Sequence, residues 1–565
     1  MPYLLAAEAD KIQDLIFRSS RLREVVGASQ LLTRFCGSVK DTLAKDYKGQ
    51  VVVNDGGSFR VIFDTRDQAL AFGADLAELY RLALGGSLTV AEPVELNGNF
   101  HEANKAASDR LRWAKSHRQG VTAEGHMPYV AFCESCGVAL AERRGRLSGK
   151  RASRRSQYLC ETCQTKTAER NRKPRAILDE LYKAYCTFPD IQPGEDPEWP
   201  EDADDVADFD LRKRNYVAYL VADGNGMGQI FGSCNQEQIA TLSQDLSRVL
   251  RDSLATPAAR VRQRLPDNPG MIPILPLILG GDDLFALIPA PYALDFARQF
   301  CLAWEEQMRN LVEKIGLTDI PRPTIAAAVV ICKSTYPYAL AHRRAEELMK
   351  EAKRQSKLLA AEKGGYLSAV NFEVILGNRL AGLEDRYDNR LIRPSLRPYW
   401  VAENGLSGAA QQRSSSTATP IQTEKELPEP AQQWSIDLKD LLKQRYELKD
   451  LPNKRLAELR RCFEKHPEVK DIQHRASELE GWTKRELDWM RKRLGATLQE
   501  KLETALKALG KSRTDGNGNH HWRKIRRGAK SWPLAHGMLD LLEAWDFAQE
   551  LDKSPNYYEP QEEEA

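Results

Sequence analysis

The chain has 565 residues, 42% hydrophobic and 29% charged, with 82 Lys and Arg against 80 Asp and Glu. That supplies apolar material for roughly four domains and excludes a disordered chain or a uniformly basic nucleic-acid coat. No stretch reaches the roughly 18 apolar residues of a membrane span, and the opening MPYLLAAEADKIQD lacks the order of a secretory signal, so a cytoplasmic protein is expected.

Residues 1–124 read as a first α/β unit. An apolar strand (Tyr3 to Ala7) leads into a helix carrying Ile12, Leu15, Ile16 and Leu22, and a second helical run covers Leu31 to Leu43. Two strands joined by a glycine turn fill Gln50 to Phe63, a helix spans Asp67 to Leu82, and a strand spans Ser87 to Val94. The order βαββαβ is that of a ferredoxin-like unit. Residues 125–175 form a polar module too poor in apolar residues for its own core. An acidic linker or loop is expected over 176–210, where nine of the sixteen residues from Glu195 to Asp210 are acidic.

Residues 211–400 repeat the order. Strand Tyr216 to Ala222 is followed by helix Gln236 to Leu254, then strands Ile274 to Leu279 and Leu284 to Ile288. Helix Tyr292 to Ile315, strand Thr324 to Ile331 and helix Tyr338 to Lys357 complete the unit. Residues 401–433, rich in Ser, Thr, Gln and Pro, read as a flexible linker. Residues 434–555 read as an all-helical domain, followed by a loose acidic tail, NYYEPQEEEA. The fold class is α+β: two βαββαβ units, a metal-binding insert and a helical C-terminus.

Leu279-Gly-Gly-Asp-Asp-Leu284 is the sharpest chemical signal. Its two glycines suit a tight hairpin with positive φ and leave room for a phosphate. Paired carboxylates at the tip of apolar strands are costly without a neutralising cation. The first strand of the unit ends in Ala222-Asp-Gly-Asn-Gly-Met-Gly228. It is expected to lie beside the strand that follows the first helix, bringing Asp223 to Asp282 and Asp283. Three such carboxylates suit two Mg²⁺ or Mn²⁺ ions that hold a triphosphate and activate a ribose hydroxyl. Gly224, Gly226 and Gly228 suit an anion-binding turn but not a dinucleotide fingerprint. Lys350 and Lys353, a turn apart on the last helix, either meet a triphosphate or form a solvated face.

Cys133-x-x-Cys136 and Cys160-x-x-Cys163 give four thiolates in two knuckles, the donor set of a closed structural Zn²⁺ site, while ten cysteines in all are too few for a disulfide scaffold. His126 nearby is not expected to take part. Arg143, Arg144, Arg146, Lys150, Arg151, Arg154 and Arg155 lie within this module. They could contact a phosphate backbone or form a solvated loop. His520, His521, Trp522, Arg523, Lys524, Arg526 and Arg527 make a smaller basic-aromatic patch suited to stacking.

Together these motifs resemble the large subunit of type III CRISPR effector complexes, a family with two palm domains related to polymerases and nucleotide cyclases. Ile12 to Phe17, Leu22 to Ser29 and Asp55-Gly-Gly-Ser-Phe59 look like the first palm, whose hairpin lacks the paired aspartates. Ala222 to Gly228 and Gly280-Gly-Asp-Asp283 look like the catalytic palm, with Tyr336 to Ala341, leading to Ala352-Lys353, as its nucleotide-binding helix. Family members often carry a second acidic residue where this chain has Asn225. Many also carry an N-terminal histidine-aspartate nuclease domain, and no His-Asp dipeptide occurs here, so DNA cleavage is not expected.

The resemblance implies target-RNA-activated synthesis of cyclic oligoadenylate from ATP. Asp223, Asp282 and Asp283 would hold the metals. Gly224, Gly280, Gly281 and Lys353 would hold the nucleotide, and Gly56, Gly57 and Ser58 of the first palm a second ATP. The implied partners are the small and backbone subunits of the complex with guide and target RNA, and no membrane. The alternatives are a non-catalytic scaffold of the same complex, or a standalone nucleotide cyclase or polymerase.

Overall fold

A computed structural model of the chain describes residues 1–19, 21–117, 131–145, 156–189, 191, 197–265, 271–317, 320–363, 366–376, 392–393, 395–401, 437–464, 475–510, 523–527 and 530–552. Among these residues no helix is long and apolar enough to cross a membrane. Residues 402–433 of the expected linker, the acidic tail and His126 lie outside them, as do Arg146, Lys150, Arg151, Arg154 and Arg155 of the first basic run and His520 to Trp522 of the second, while Val401 closes a strand.

In the first unit, β1 (Tyr3–Ala9), β2 (Gln50–Asp55), β3 (Ser58–Phe63) and β4 (Leu88–Val90) form a sheet in the order β2-β3-β1-β4. Helices α1 (Leu22–Ser38) and α2 (Arg66–Leu84) lie between the strands in sequence. Thr65 and Gln68 close α2 with a reciprocal capping box, which satisfies amide donors the first turn would leave open. The helix expected from Ile12 through Leu22 is broken: a short helix Ile12–Phe17 ends before Leu22, where α1 begins and runs past the expected gap. The last strand is also shorter than expected, because Val94–Glu95 pairs with the other end of β1. A helix α3 (Phe100–Ser116) follows.

The cysteine module contributes a two-stranded ribbon, β5 (Arg143–Gly145) with β6 (Gln157–Leu159), and a helix α4 (Glu161–Asn171). The reading of 176–210 as linker needs correction. Helix α5 (Ala176–Tyr185) and a short helix Ala203–Ala207 occupy it, and Leu178, Leu181, Trp199 and Val206 are buried in the main core. The acidic residues masked an apolar stripe that needs cover.

The second unit contains β7 (Tyr216–Asn225), α6 (Gln236–Gln263), β8 (Leu275–Gly280), β9 (Asp283–Pro289), α7 (Ala293–Lys314), β10 (Thr324–Lys333) and α8 (Tyr338–Lys363). Two further strands, β11 (Ser368–Val374) and β12 (Tyr399–Val401), extend the sheet to the order β12-β11-β10-β7-β9-β8. Val217 to Ala222 and Ile325 to Cys332 are buried along their whole length, as strands covered on both faces must be.

One expectation is overturned here. The strand after the first helix, β8, lies at the edge; β7 pairs with the second arm of the hairpin, β9, and with β10. In both units the first strand sits between the third and fourth.

The C-terminal region is helical, with α9 (Leu438–Glu447), α10 (Asn453–Glu464), α11 (Arg475–Arg491), α12 (Ala496–Gly510) and α13 (Met538–Glu543). It also includes a hairpin, β13 (Arg523–Arg527) with β14 (Lys530–Ala535). Arg397, buried just before β12, joins this region to the sheet of the second unit. It donates to Asp540 at 2.7 Å and to Glu543 at 2.6 Å.

Candidate active site and cysteine cluster

The antiparallel pairing of Leu284 with Ala222 sets Asp283 opposite Asp223 on neighbouring strands. Asp223 and Asp283 face the same side of the sheet, toward α8, whose Lys353 forms an ion pair with Asp223. Lys350, three residues earlier, is exposed and reaches only Glu346, at 3.5 Å. Of the two lysines, α8 therefore turns Lys353 alone to the carboxylates.

Asp282 occupies the hairpin turn between β8 and β9. Gly281 there has φ +58° and Gly280 does not, so the turn needs one left-handed residue rather than two. Asp282 folds back over Gly224, where a Cβ would meet its carboxylate oxygen at 3.0 Å and the Met227 side chain at 2.6 Å. Gly224 thus belongs to the strand. Of the three glycines expected to form an anion-binding turn, only Gly226 has a left-handed backbone, at φ +69°. The helix after it, Met227–Ser233, has only seven residues.

Burial, with the negative charges of Asp283 and Asp223, pushes the Asp282 carboxyl up to about 8. Burial and Asp223 likewise raise Asp283 to about 6, while Lys353 draws it down. The Asp283 side chain remains open to solvent and Asp282 is half-buried, so the shifts reflect the crowding of like charges in a crevice as well as desolvation. A bound cation relieves such crowding, and the oxygen-only donor set suits Mg²⁺ or Mn²⁺. The site fits a divalent ion on that ground. Asn225 does not join the carboxylates: it is buried and donates through Nδ2 to Thr324 at 3.1 Å.

Beside Asp283 a cavity of about 740 Å³, including its solvent-open part, runs between the two units. Gln13, Ser29 and Thr33 line it from the first unit; Gly280, Asp283, His342 and Glu346 line it from the second. His342, on α8, is wedged between Phe17 and Phe285 at ring distances of 4.1 and 4.4 Å. Burial lowers its pKa to about 4, so its imidazole is neutral.

The first unit's hairpin turn, Gly56 and Gly57 with φ of +56° and +80°, meets the aspartate turn directly. Gly56 lines the cavity, and a Cβ on Gly280 would sit 3.8 Å from the Gly56 Cα. Gly57 is buried against Ala9 and Ile12, and Ser58 pairs with Glu8 in the ladder with β1. Asp55, His342 and Glu346 were missed by sequence reasoning. Asp55 stood in plain view beside the glycine turn, but no local pattern shows that a hairpin faces another domain.

The four cysteines converge, with all their Sγ atoms within 4.8 Å of one another. Among the described residues this is the one group of metal-ligating side chains gathered so closely. Gly137, at φ +66°, returns its amide to the Cys133 carbonyl at 2.8 Å and so closes the first knuckle. A hydrogen bond from the Cys163 thiol draws Cys160 down to about 5. This donor set can hold Zn²⁺.

No curated protein matches the chain in sequence. Solved structures with a related course include Csm1 in T. onnurineus, at 15% identity and a TM-score of 0.42, covering 86% of this chain and 69% of that one. The Csm1–Csm4 cassette in complex with cA4 gives 15% identity and 0.40 over the same shares. The same cassette with AMPPNP gives 14% and 0.40, covering 89% of this chain and 69% of that one. Residues 216–358, which hold the three aspartates and Lys353, match the family described as Cas10/Cmr2, second palm domain.

Proposed function

We propose that the chain is the large subunit of a type III CRISPR effector complex and that its second palm, activated by target RNA, converts ATP to cyclic oligoadenylate. The observation that supports this reading is the crowding of Asp223, Asp282 and Asp283, two of them with raised pKa values, beside Lys353 at the mouth of the inter-palm cavity. In each lengthening step a ribose 3′-oxygen bonds to the α-phosphorus of another ATP, and in the closing step the last 3′-oxygen bonds to the α-phosphorus at the 5′ end of the same chain. The α–β phosphoanhydride bond breaks, pyrophosphate leaves, and the hydroxyl proton passes to solvent.

The carboxylates would hold Mg²⁺ or Mn²⁺, which supplies a lowered hydroxyl pKa and screening of charge at the α-phosphate. Lys353 would exchange Asp223 for the triphosphate, and Gly280 and Gly281 leave space for its oxygens. Gln13, Ser29 and Thr33 would face the nucleoside, with Gly56 bordering the second ATP. The four cysteines would hold a structural Zn²⁺. Small and backbone subunits, guide RNA and target RNA complete the assembly.

The test is to purify the chain with and without its neighbouring gene products and supply Mg²⁺ or Mn²⁺, ATP and matching target RNA. Oligoadenylate is expected from the assembled, target-bound complex, and its loss is expected in Asp282→Ala/Asp283→Ala. Product that survives the double substitution rejects this site. Asn225, buried and bonded to Thr324 where an acid is common in the family, favours a second reading as a non-catalytic scaffold. A target-bound complex that assembles but yields no product would select it.

A further inference from the structure

The aspartate turn of the second palm is held by the first. Gly281 lies at the tip of the β8–β9 hairpin, where its amide points away from the ladder and needs an acceptor. That acceptor is Asp55, from the first palm, whose Oδ2 receives the Gly281 N–H at 3.2 Å. Ser247 on α6 donates its hydroxyl to the same Asp55 oxygen, and its Oγ also accepts the Gly281 N–H at 3.3 Å. The other Asp55 oxygen accepts the Gly56 amide at 2.8 Å, which fixes the carboxylate on its own turn. Asp55, Ser247 and Gly281 thus close a three-way junction one residue from Asp282.

We propose that Asp55 is a positioning residue for the reaction of the second palm: it holds Gly281, and through it Asp282 and Asp283, only while the two palms are docked. This rests on the reading of the second palm as a nucleotidyltransferase. Asp55 touches neither substrate nor metal in this role. A hydrogen bond to a charged acceptor is among the stronger kinds, and its loss leaves the amide only the longer bond to the neutral Ser247 hydroxyl. The geometry of the catalytic turn then becomes conditional on the seating of the first palm.

The test compares Asp55→Ala with Asp55→Asn, which keeps an acceptor oxygen, in the complex assembled with its partner subunits and target RNA. Asp55→Ala is expected to lower kcat by roughly tenfold to a hundredfold, the scale of a small misplacement, with KM for ATP changed less than about twofold. Asp55→Asn should recover most of that loss. Amide exchange across residues 278–284 should quicken in Asp55→Ala and stay near wild type in Asp55→Asn. Should Asp55→Ala fail to fold, the double variant Asp55→Asn/Ser247→Ala, which removes both charge and hydroxyl, must quicken the same exchange. A rise in KM with kcat unchanged would overturn the positioning role. Unchanged exchange would overturn the tether whatever the activity, whereas wild-type complex without product would instead remove the functional reading.

Discussion

His342 sits where chemistry and packing meet. Its ring lies between Phe17 and Phe285, Glu346 is 3.5 Å from its Nε2, and Lys350 adds positive charge from the next turn. Burial outweighs Glu346 and brings the pKa to about 4 from 6.5. A depressed pKa means that the unfolded chain binds the proton more readily than the folded one. The stability from neutral His342 is therefore complete above about pH 6.5 and is lost as pH falls toward 4. Replacing His342 with Phe should flatten the decline in melting temperature between pH 7 and 4.5 relative to wild type. Parallel declines would show that other groups set the acid limit.

The aspartates themselves were legible, because Gly-Gly-Asp-Asp and a strand ending near Asp223 are local patterns. His342, Asp55 and the contact of Gly224 with Asp282 were not, because each depends on a partner distant in sequence.

At the scale of elements, the βαββαβ order could be read twice from alternation and glycine turns, while the neighbour of β7 could not. Element order fixes which strands exist, but their adjacency depends on how the helices cross over the sheet, and β8 goes to the edge. The crossing of α1 and α4 makes the same point. Gly27 in α1 is a poor helix residue by propensity. It is required because a Cβ there would lie 1.8 Å from the Lys166 carbonyl oxygen of α4. Gly27→Ala should drive the two helices apart and cost about 1–3 kcal/mol, the usual range for overpacking, offset by about 1 kcal/mol of better helix propensity. Thermal melting should show an earlier onset, accompanied by faster zinc release from the cysteines. An alanine variant that melts and retains zinc like wild type would mean that α4 can slide at no cost.

At the scale of the whole molecule, the cysteine cluster sits at one end of a chain of contacts that reaches the second palm. Ser135, between Cys133 and Cys136, donates to the buried carboxylate of Glu24, which also accepts the Ser19 hydroxyl. Tyr338, the first residue of α8, donates to the carbonyl of Ser19 and to that of Phe17, the latter at 3.2 Å. Phe17 in turn packs against Phe285 and His342. The segment Phe17–Ser19 is thus a strap with the knuckle on one side and α8 on the other. Lys166 of α4 reinforces it by donating to the Leu15 carbonyl at 2.6 Å. Opening the knuckle removes one of the two hydroxyls that donate to Glu24, and a buried carboxylate that loses a donor is costly enough to reorganise its surroundings. Zinc removal by chelator, or Cys136→Ser, is therefore expected to speed amide exchange in residues 12–19 and 338–349 as well as in the module itself. Asp55→Ala should leave 12–19 near wild type, which separates this route from the hairpin tether. Exchange that quickens only within 131–171 would show that the zinc module is energetically isolated from the palms.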